Sequence, residues 1–355
     1  MKKHLVSIII GVCVVILVGT IFSFTKTKYI AKDTVISGQN YNNCIHTTQH
    51  GDFWLDDDAL YYSQQDILYN TRLFGVDKTK RCLAEHLSLP EGNIKGDIQV
   101  YDKTTYFPAY TDNGTLLFYR KKAEEKPEEI LSVQATLGNW AVFNNTLIYA
   151  DHGDDLTYPN HTLYACNLTT GERELLSSNT NGFSIVNSKL YFIAPYQGNH
   201  AVFTYNFADG EVVLYDTFAY YTALELLGVT KDRIVMRVRE TENTDVLVYN
   251  LNRKSMDTYT LPWEIWEFSA YNEYAFLSFY DSQAGTQHIP GLYCINLQTG
   301  NLQLLEENVN MPTTLFSISD TCVYFTAEKM QMGLCKNVLY RFSKENTKAE
   351  KIYSW

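Results

Sequence analysis

Seven short hydrophobic couplets recur along this chain at nearly constant spacing: Tyr61-Tyr62, Tyr106-Phe107, Ile148-Tyr149, Tyr191-Phe192, Val235-Met236, Phe276-Leu277 and Tyr324-Phe325. Between first members the steps are 45, 42, 43, 44, 41 and 48 residues. A period of this length marks a supersecondary unit that cannot bury its own faces and must stack on copies of itself. Each unit carries four runs with strand chemistry, as the fourth shows. It reads Phe183 to Val186, turn Asn187-Ser188, Leu190 to Ile193, then Val202 to Asn206, turn Ala208 to Gly210, and Val212 to Tyr215. The third runs of other units repeat the pattern in Leu163 to Asn167, Leu247 to Asn250, Leu292 to Asn296 and Leu339-Tyr340. Gly171, Gly210 and Gly300 close the following turns, where a hairpin requires positive φ.

The fold class expected is therefore all-β: a β-propeller of about seven four-stranded blades, with six or eight as the neighbouring counts and a β-sandwich or solenoid as the competing architecture. Aromatic content supports strands over helices, since 27 Tyr and 18 Phe favour half-buried pleated surfaces. The charged stretch Ala123 to Lys126 reads as a hairpin loop.

One segment lies outside the repeat. Leu5 to Phe24 contains no charged residue and is long enough to cross a bilayer as a helix. It is too long for the apolar part of a cleaved signal peptide and lacks a small-residue cleavage site. A lipoprotein reading would use Cys13, which Val12 precedes where a small residue is needed. The expected division is an N-terminal signal-anchor transmembrane segment over residues 1–25, a tether over 26–50 and the propeller domain over 51–355. The lysines flanking the span, Lys2 and Lys3 before it and Lys26, Lys28 and Lys32 after it, do not fix its orientation. The short N-terminal segment leads to the expectation of a propeller outside the cytoplasm, on a single-pass protein of the cell membrane that meets the lipid bilayer through residues 5–24.

Charge excludes one class of partner. Beyond residue 25 the chain keeps all 40 acidic residues but only 27 of its 29 basic ones, a formal charge of −13. No nucleic-acid partner is expected for so acidic a surface. Cys166 and Cys294 occupy matching third strands and read as buried small hydrophobes. A disulfide between Cys44 and Cys82 would fix the tether against the first unit, provided their Cα atoms lie about 4.4 to 6.8 Å apart.

The second strands Leu60-Tyr61-Tyr62-Ser63, Leu147 to Asp151 and Leu190-Tyr191-Phe192 resemble the Tyr-Trp-Thr-Asp (YWTD) repeats of low-density-lipoprotein-receptor-type propellers. Leu163 to Gly171 and Leu292 to Gly300 match the companion Leu-Tyr-x-x-Asn-Leu-x-x-Gly pattern. Over residues 51–353 the chain is similar to uncharacterised bacterial membrane-anchored or secreted proteins that carry a domain of unknown function related to those propellers. The resemblance implies a propeller fold and a surface location. Every repeat lacks the Trp of the motif, so no receptor ligand or binding residue is carried over. The Trp-Asp ending of WD repeats, the paired glycines of kelch repeats and the sialidase Asp-box are missing as well.

In a propeller the loops joining strands two and three share one face with the links between blades. Here the stretches Ala150 to Asn160, Ile193 to Asn199 and Tyr280 to Pro290 read as longer, polar loops, against short strand-one-to-two turns at Asp56-Asp57-Asp58, Asn144-Asn145, Asn187-Ser188 and Ser319 to Thr321. Binding groups concentrate on long loops held by a rigid scaffold. Candidate ligand-binding residues on this face are Asp151, His152, Asp154, Asp155 and Tyr158, Tyr196 and His200, and Asp281 and His288. The run from Asp151 to Asp155 offers carboxylates without the spacing of a twelve-residue calcium loop. Asn160-His161 and Asn199-His200 open the third strands of adjacent units, which would bring two imidazoles near each other or simply reflect repeat equivalence.

No phosphate loop, Gly-x-Ser-x-Gly elbow or His-Glu-x-x-His is present, so no catalytic residue, cofactor or metal is assigned. The reading is a non-enzymatic binding or sensing module for an extracytoplasmic protein, peptide or glycan. The alternative is a carbohydrate-active hydrolase or lyase with loop carboxylates or imidazoles as acid and base. A scaffold for a membrane complex is a third possibility.

Overall fold

The computed structural model describes residues 44–46, 53–56, 59–64, 67–72, 85–86, 89–94, 98–122, 125–153, 161–218, 221, 224–238, 244–261, 267–271, 273–279, 291–307, 315–317, 322–331, 334–343 and 349–354. The proposed anchor falls outside them. Among the described residues no helix is long and apolar enough to cross a membrane.

Every regular element described is a β-strand. A first short strand, β1 (Cys44–His46), precedes the repeats. Unit one contains β2 (Phe53–Asp56), β3 (Ala59–Gln64), β4 (Ile67–Arg72) and β5 (Glu85–His86). Unit two contains β6 (Asn93–Ile94), β7 (Gln99–Tyr101), β8 (Thr104–Tyr110), β9 (Thr115–Lys122) and β10 (Glu128–Gln134). Unit three contains β11 (Leu137–Phe143), β12 (Thr146–Asp151), β13 (His161–Asn167) and β14 (Arg173–Thr180). Unit four contains β15 (Phe183–Val186), β16 (Lys189–Tyr196), β17 (Asn199–Asn206) and β18 (Val212–Phe218). Unit five contains β19 (Leu224–Val229), β20 (Arg233–Val238), β21 (Thr244–Asn250) and β22 (Ser255–Leu261). Unit six contains β23 (Glu267–Tyr271), β24 (Tyr274–Phe279), β25 (Gly291–Asn296) and β26 (Leu302–Glu307). Unit seven contains β27 (Leu315–Ser317), β28 (Cys322–Gln331), β29 (Leu334–Ser343) and β30 (Glu350–Ser354).

Each unit is an antiparallel meander of consecutive strands, with β6 and β7 sharing the first position of unit two. All seven couplets fall in the second strand of their units. First strands of successive units touch, β2 to β7, β7 to β11, β15 to β19, β19 to β23 and β23 to β27, so the sheets succeed one another around their inner strands as in a β-propeller. The hydrophobic clusters have the same logic, because each joins two neighbouring sheets. Leu227, Val235, Val246 and Val248 of unit five pack with Ala270, Ala275, Leu277 and Tyr293 of unit six. Phe118 of unit two packs with Val142, Leu147 and Tyr149 of unit three. Cys166 and Cys294 are buried free thiols in these layers, and burial pushes the Cys294 thiol up to about 12.

Turn chemistry explains the regular hairpins. Asp102-Lys103, Asn144-Asn145 and Asn187-Ser188 all have both central residues at positive φ, the two-residue geometry that matches strand twist. The third-to-fourth turns are built on an asparagine. Asn167 and Asn296 each accept two backbone N–H groups on Oδ1, from Thr169 and Thr170 and from Gln298 and Thr299. The residue four positions on then donates its N–H to the asparagine carbonyl, as Gly171, Gly210, Lys254 and Gly300 do at 2.8 to 2.9 Å. In unit five this position holds Lys254 at φ 51, where units three, four and six have glycine. A side chain in the left-handed region costs about 1–2 kcal/mol, partly offset by the greater chain entropy that glycine loses. Lys254→Gly should therefore stabilise the protein by about 0.5–1 kcal/mol, read as a higher urea midpoint at unchanged slope.

A second regularity is invisible in the sequence. In units two, three, four, six and seven the outer strand carries one extra residue, Ile130, Leu176, Tyr215, Leu305 and Ile352, opposite the third-strand pairs Phe118-Tyr119, Leu163-Tyr164, Val202-Phe203, Leu292-Tyr293 and Leu339-Tyr340. Unit five, where the corresponding pair is Leu247-Val248, runs in unbroken register. The bulge thus accompanies an aromatic at the second position of the pair, and it twists the outer edge away from flat pairing.

One expectation is corrected. The stretch Ile193 to Asn199 is no long loop: β16 and β17 pair continuously from Lys189 with Asn206 to Tyr196 with Asn199. Gln197 and Gly198, at φ 50 and 81, close the hairpin in two residues. Near the end of the segment read as a tether, β1 pairs antiparallel with β15, Cys44 opposite Val186 and His46 opposite Ser184. That pairing uses the inner edge of unit four, so the sheet order there is β1, β15, β16, β17, β18. Cys82 lies outside the described residues, and with it the Cys44–Cys82 disulfide.

Candidate functional site

In units three and four the end of the sheet where strand two passes to strand three carries the described polar groups singled out above. In unit three β12 ends at Asp151 and β13 begins at His161. Asp151 Oδ1 accepts the backbone N–H groups of Thr136 (3.0 Å) and Gly153 (2.9 Å), while the His152 N–H donates to the Thr136 carbonyl at 2.8 Å. The Asp151 carboxylate therefore holds the chain's exit from β12 against the entry to β11. These contacts fix where the His152 ring starts.

That ring meets His161, with centroids 3.8 Å apart and planes inclined by 56°. The imidazole beside His161 thus comes from its own unit. His200, at the start of β17, is half-buried and stands opposite Phe218 in the β17–β18 ladder. Burial lowers the pKa of His152, with Asp151 opposing the shift. His161 is pushed down to about 4, first by burial and then by the neighbouring His152, against the weaker opposing fields of Glu225 and Asp151. Both shifts favour the neutral imidazole at pH 7, a form able to donate and accept hydrogen bonds without carrying charge.

Gly138 on β11 makes this approach possible. A Cβ there would lie 3.0 Å from His152 Nε2 and 3.1 Å from His161 Nδ1. Glycine within a strand often marks such a close approach. Gly138→Ala should separate the rings and cost about 1–2 kcal/mol through local repacking. Histidine proton NMR checks this: the His161 titration should rise toward the ordinary value of about 6.5 as its burial loosens.

The cluster extends across units four and five. His161 faces Thr180 in the β13–β14 ladder. Thr180 Oγ1 donates to the Ile193 carbonyl at 2.7 Å, and Asn181 ties the link to unit five by donating from Nδ2 to the Leu224 carbonyl (3.2 Å) while its own carbonyl accepts the Leu226 N–H (2.8 Å). Asn181 Oδ1 is buried without a hydrogen-bond partner among the described residues. Between Leu224 and Leu226 stands Glu225, which forms a bidentate pair with Arg237 across β19 and β20 at 2.8 and 3.1 Å. Arg237 is only 5% exposed, so the pair neutralises a charge that would otherwise be costly to bury.

Tyr196 ends β16, half-buried, its ring edge-on to Phe203 at 5.9 Å and its hydroxyl accepting from Gln197 Nε2 at 3.2 Å. Asp154, Asp155, Tyr158, Asp281 and His288 lie outside the described residues. Among the described residues no group of three histidine, cysteine or acidic side chains could hold a metal ion. Sequence reasoning missed Gly138, Asn181, Glu225 and Arg237. Glu225 and Arg237 had one local signal, a single acid in the apolar strand β19 and arginines, Arg233 and Arg237, in the adjoining apolar strand β20.

No protein-family model matches this chain. No curated protein matches it either. Solved structures do, at low identity. A chain from the S. cerevisiae complex of Dbp5 bound to Nup159 and Gle1 is 10% identical with a TM-score of 0.52, covering 90% of this chain and 91% of its own length. The β-propeller domain of the Trilobed protease from Pyrococcus furiosus is 12% identical with a TM-score of 0.47, covering 74% and 83% respectively. TolB from Acinetobacter baumannii is 12% identical with a TM-score of 0.41, covering 85% and 79%. At these identities the likeness bears on fold alone: the chain is all-β, a repeat of four-stranded antiparallel sheets of the β-propeller kind.

Proposed function

We propose that this chain is a membrane-anchored binding or sensing module, a seven-bladed propeller held outside the cytoplasm by the span Leu5 to Phe24. Its ligand is a protein, peptide or glycan taken at the strand-two-to-three end of units three to five. The observation that carries the reading is the cluster there: two touching neutral imidazoles, a compensated Glu225–Arg237 pair and a buried acceptor, Asn181 Oδ1, without a partner among the described residues. Neutral imidazoles beside an internally compensated ion pair, all on rigid strands, suit the hydroxyls of a glycan or the amides of a peptide. At a value of about 4, His161 is a weak proton acceptor at pH 7, which favours recognition over acid–base chemistry.

The test uses the full chain in detergent, screened against defined glycan and peptide arrays. Saturable binding weakened at least tenfold by both His152→Ala and His161→Ala supports the reading. Binding indifferent to both substitutions, or the absence of any saturable ligand, removes it. Turnover of a glycan abolished by either substitution would instead establish a hydrolase or lyase.

A further inference from the structure

The outer strand of unit four differs from its counterparts in what it shows to solvent. Val212, Val213, Leu214 and Tyr215 of β18 are 38, 45, 39 and 40% exposed. Successive side chains of a strand point to opposite faces, so this strand is apolar on both. The outer strands of units two and three begin instead with Glu128-Glu129 and Arg173-Glu174. β18 is also the last strand of its sheet, and its outer edge pairs with no described strand. The bulge at Tyr215 comes after Leu214 and leaves Val212 to Leu214 in regular register with Tyr205 to Phe203. The segment Val212–Leu214, ahead of the bulge and of Asp216, is an apolar edge without a charge, and such an edge is a template for strand addition.

Acidic groups bracket this edge. Asp209 and Glu211 precede it, and Asp216 follows it, held in place by the hydroxyl of Tyr249. Glu174 of unit three reaches the same end, with Oε2 4.0 Å from the place a Cβ on Gly210 would take. Of the nearby cations, Lys189 opens β16, two strands inward, and Arg173 lies over the Tyr164 ring with its Nη1 bonded to the Tyr149 hydroxyl.

We propose that the outer edge of β18 is a docking site for an extended segment of another protein, one that alternates apolar side chains and carries lysine or arginine at its ends. The segment adds as a further antiparallel strand, its main chain bonding to Val212–Leu214, its apolar groups covering both faces and its terminal cations meeting Asp209, Glu211 and Asp216. The same sheet already accepts a strand from outside its own unit, since β1 occupies the opposite edge. A second copy of this chain fits less well. It would bring two acidic brackets together on molecules whose net charge is −11 each. This site stands on the rim of the fold, apart from the cluster of units three to five, and its test reads strand 212–218 directly.

The probe is a fluorescein-labelled synthetic peptide, Lys-Thr-Val-Thr-Val-Thr-Val-Lys, titrated into the full chain in detergent, with hydrogen exchange followed at the β18 amides. Expected are saturable binding, at least tenfold slower exchange at Val212–Leu214, and weakening by added salt. The same peptide ending in glutamates should bind at least tenfold more weakly, and Glu211→Lys, an exposed change outside the core, should narrow that preference. Unchanged exchange at β18, or equal binding of both peptides, overturns the proposal. Protection of β18 that appears without peptide and grows with protein concentration overturns it in favour of self-association.

Discussion

Replacing Gln99 with methionine is expected to destabilise the fold by about 2–4 kcal/mol, although the side-chain volume hardly changes. Gln99 lies on β7, the inner strand of unit two, and is 3% exposed. Its amide donates from Nε2 to the Val142 carbonyl at 2.8 Å and accepts the Val142 N–H on Oε1 at 2.6 Å. Val142 belongs to β11, the inner strand of unit three, so the side chain acts as one residue of an added strand on an inner edge that pairs with no described strand. Methionine leaves a buried N–H and a buried C=O unpaired, each at about 1–3 kcal/mol. Hydrogen exchange reads the effect where it arises: the Val142 amide should exchange about 30- to 1000-fold faster, on the scale of 1.4 kcal/mol per factor of ten. Gln99→Glu tests the mechanism separately. Its carboxylate can still accept the N–H but repels the carbonyl, so it should fail at neutral pH and recover, relative to wild type, once protonated. An unchanged Val142 exchange rate in both variants would show that this contact does not join units two and three.

Much of the architecture is written locally and repeats, which is why it can be read without coordinates. The couplets, the Asn-x-x-x-Gly turns and the two-residue Asn-rich hairpins each act within about ten residues, and each falls where its chemistry places it. The features that escape such a reading depend on partners one or more units away. Nothing in Gln99 announces that its partner lies 43 residues on. The outer bulges follow from an aromatic on the third strand, yet the extra residue sits on the fourth and looks like ordinary strand. Tyr196, Gln197 and Gly198 read as loop because Pro195 and a glycine interrupt the pattern, whereas the pairing across from Asn199 carries the strands to the tip of the hairpin. The site shows the same divide. Asp151 and His152 are recognisable as polar groups at a strand end, but the ring that meets His152 was matched by repeat equivalence to His200, while Gly138, on a different strand, decides which imidazoles touch.

The second large effect concerns acid. His161 titrates near 4 in the folded protein and near 6.5 in the unfolded chain. As pH falls, the unfolded state therefore takes up this proton first, so the contribution of His161 is fully present above about pH 6.5 and is lost progressively down to about pH 4. The gap sets a ceiling of about 3.4 kcal/mol. Because the ring is half-buried and solvent screens part of the penalty, about 2–3 kcal/mol is expected. His152, lowered for the same reason, acts in the same direction. Carboxylates complicate the raw profile: Arg120 holds Glu128 below its usual range, and stability from that exposed pair is likewise lost toward low pH. The comparison that isolates the histidine is the stability difference between pH 7 and pH 4 in wild type and in His161→Asn. The wild type should lose about 2–3 kcal/mol more than the variant over that interval. A proton NMR titration of wild type must place the His161 midpoint near 4 as well. A midpoint close to 6.5, together with parallel stability curves, would mean that the two rings do not shield each other from water, and the neutral hydrogen-bonding surface proposed for this face would lose its physical basis.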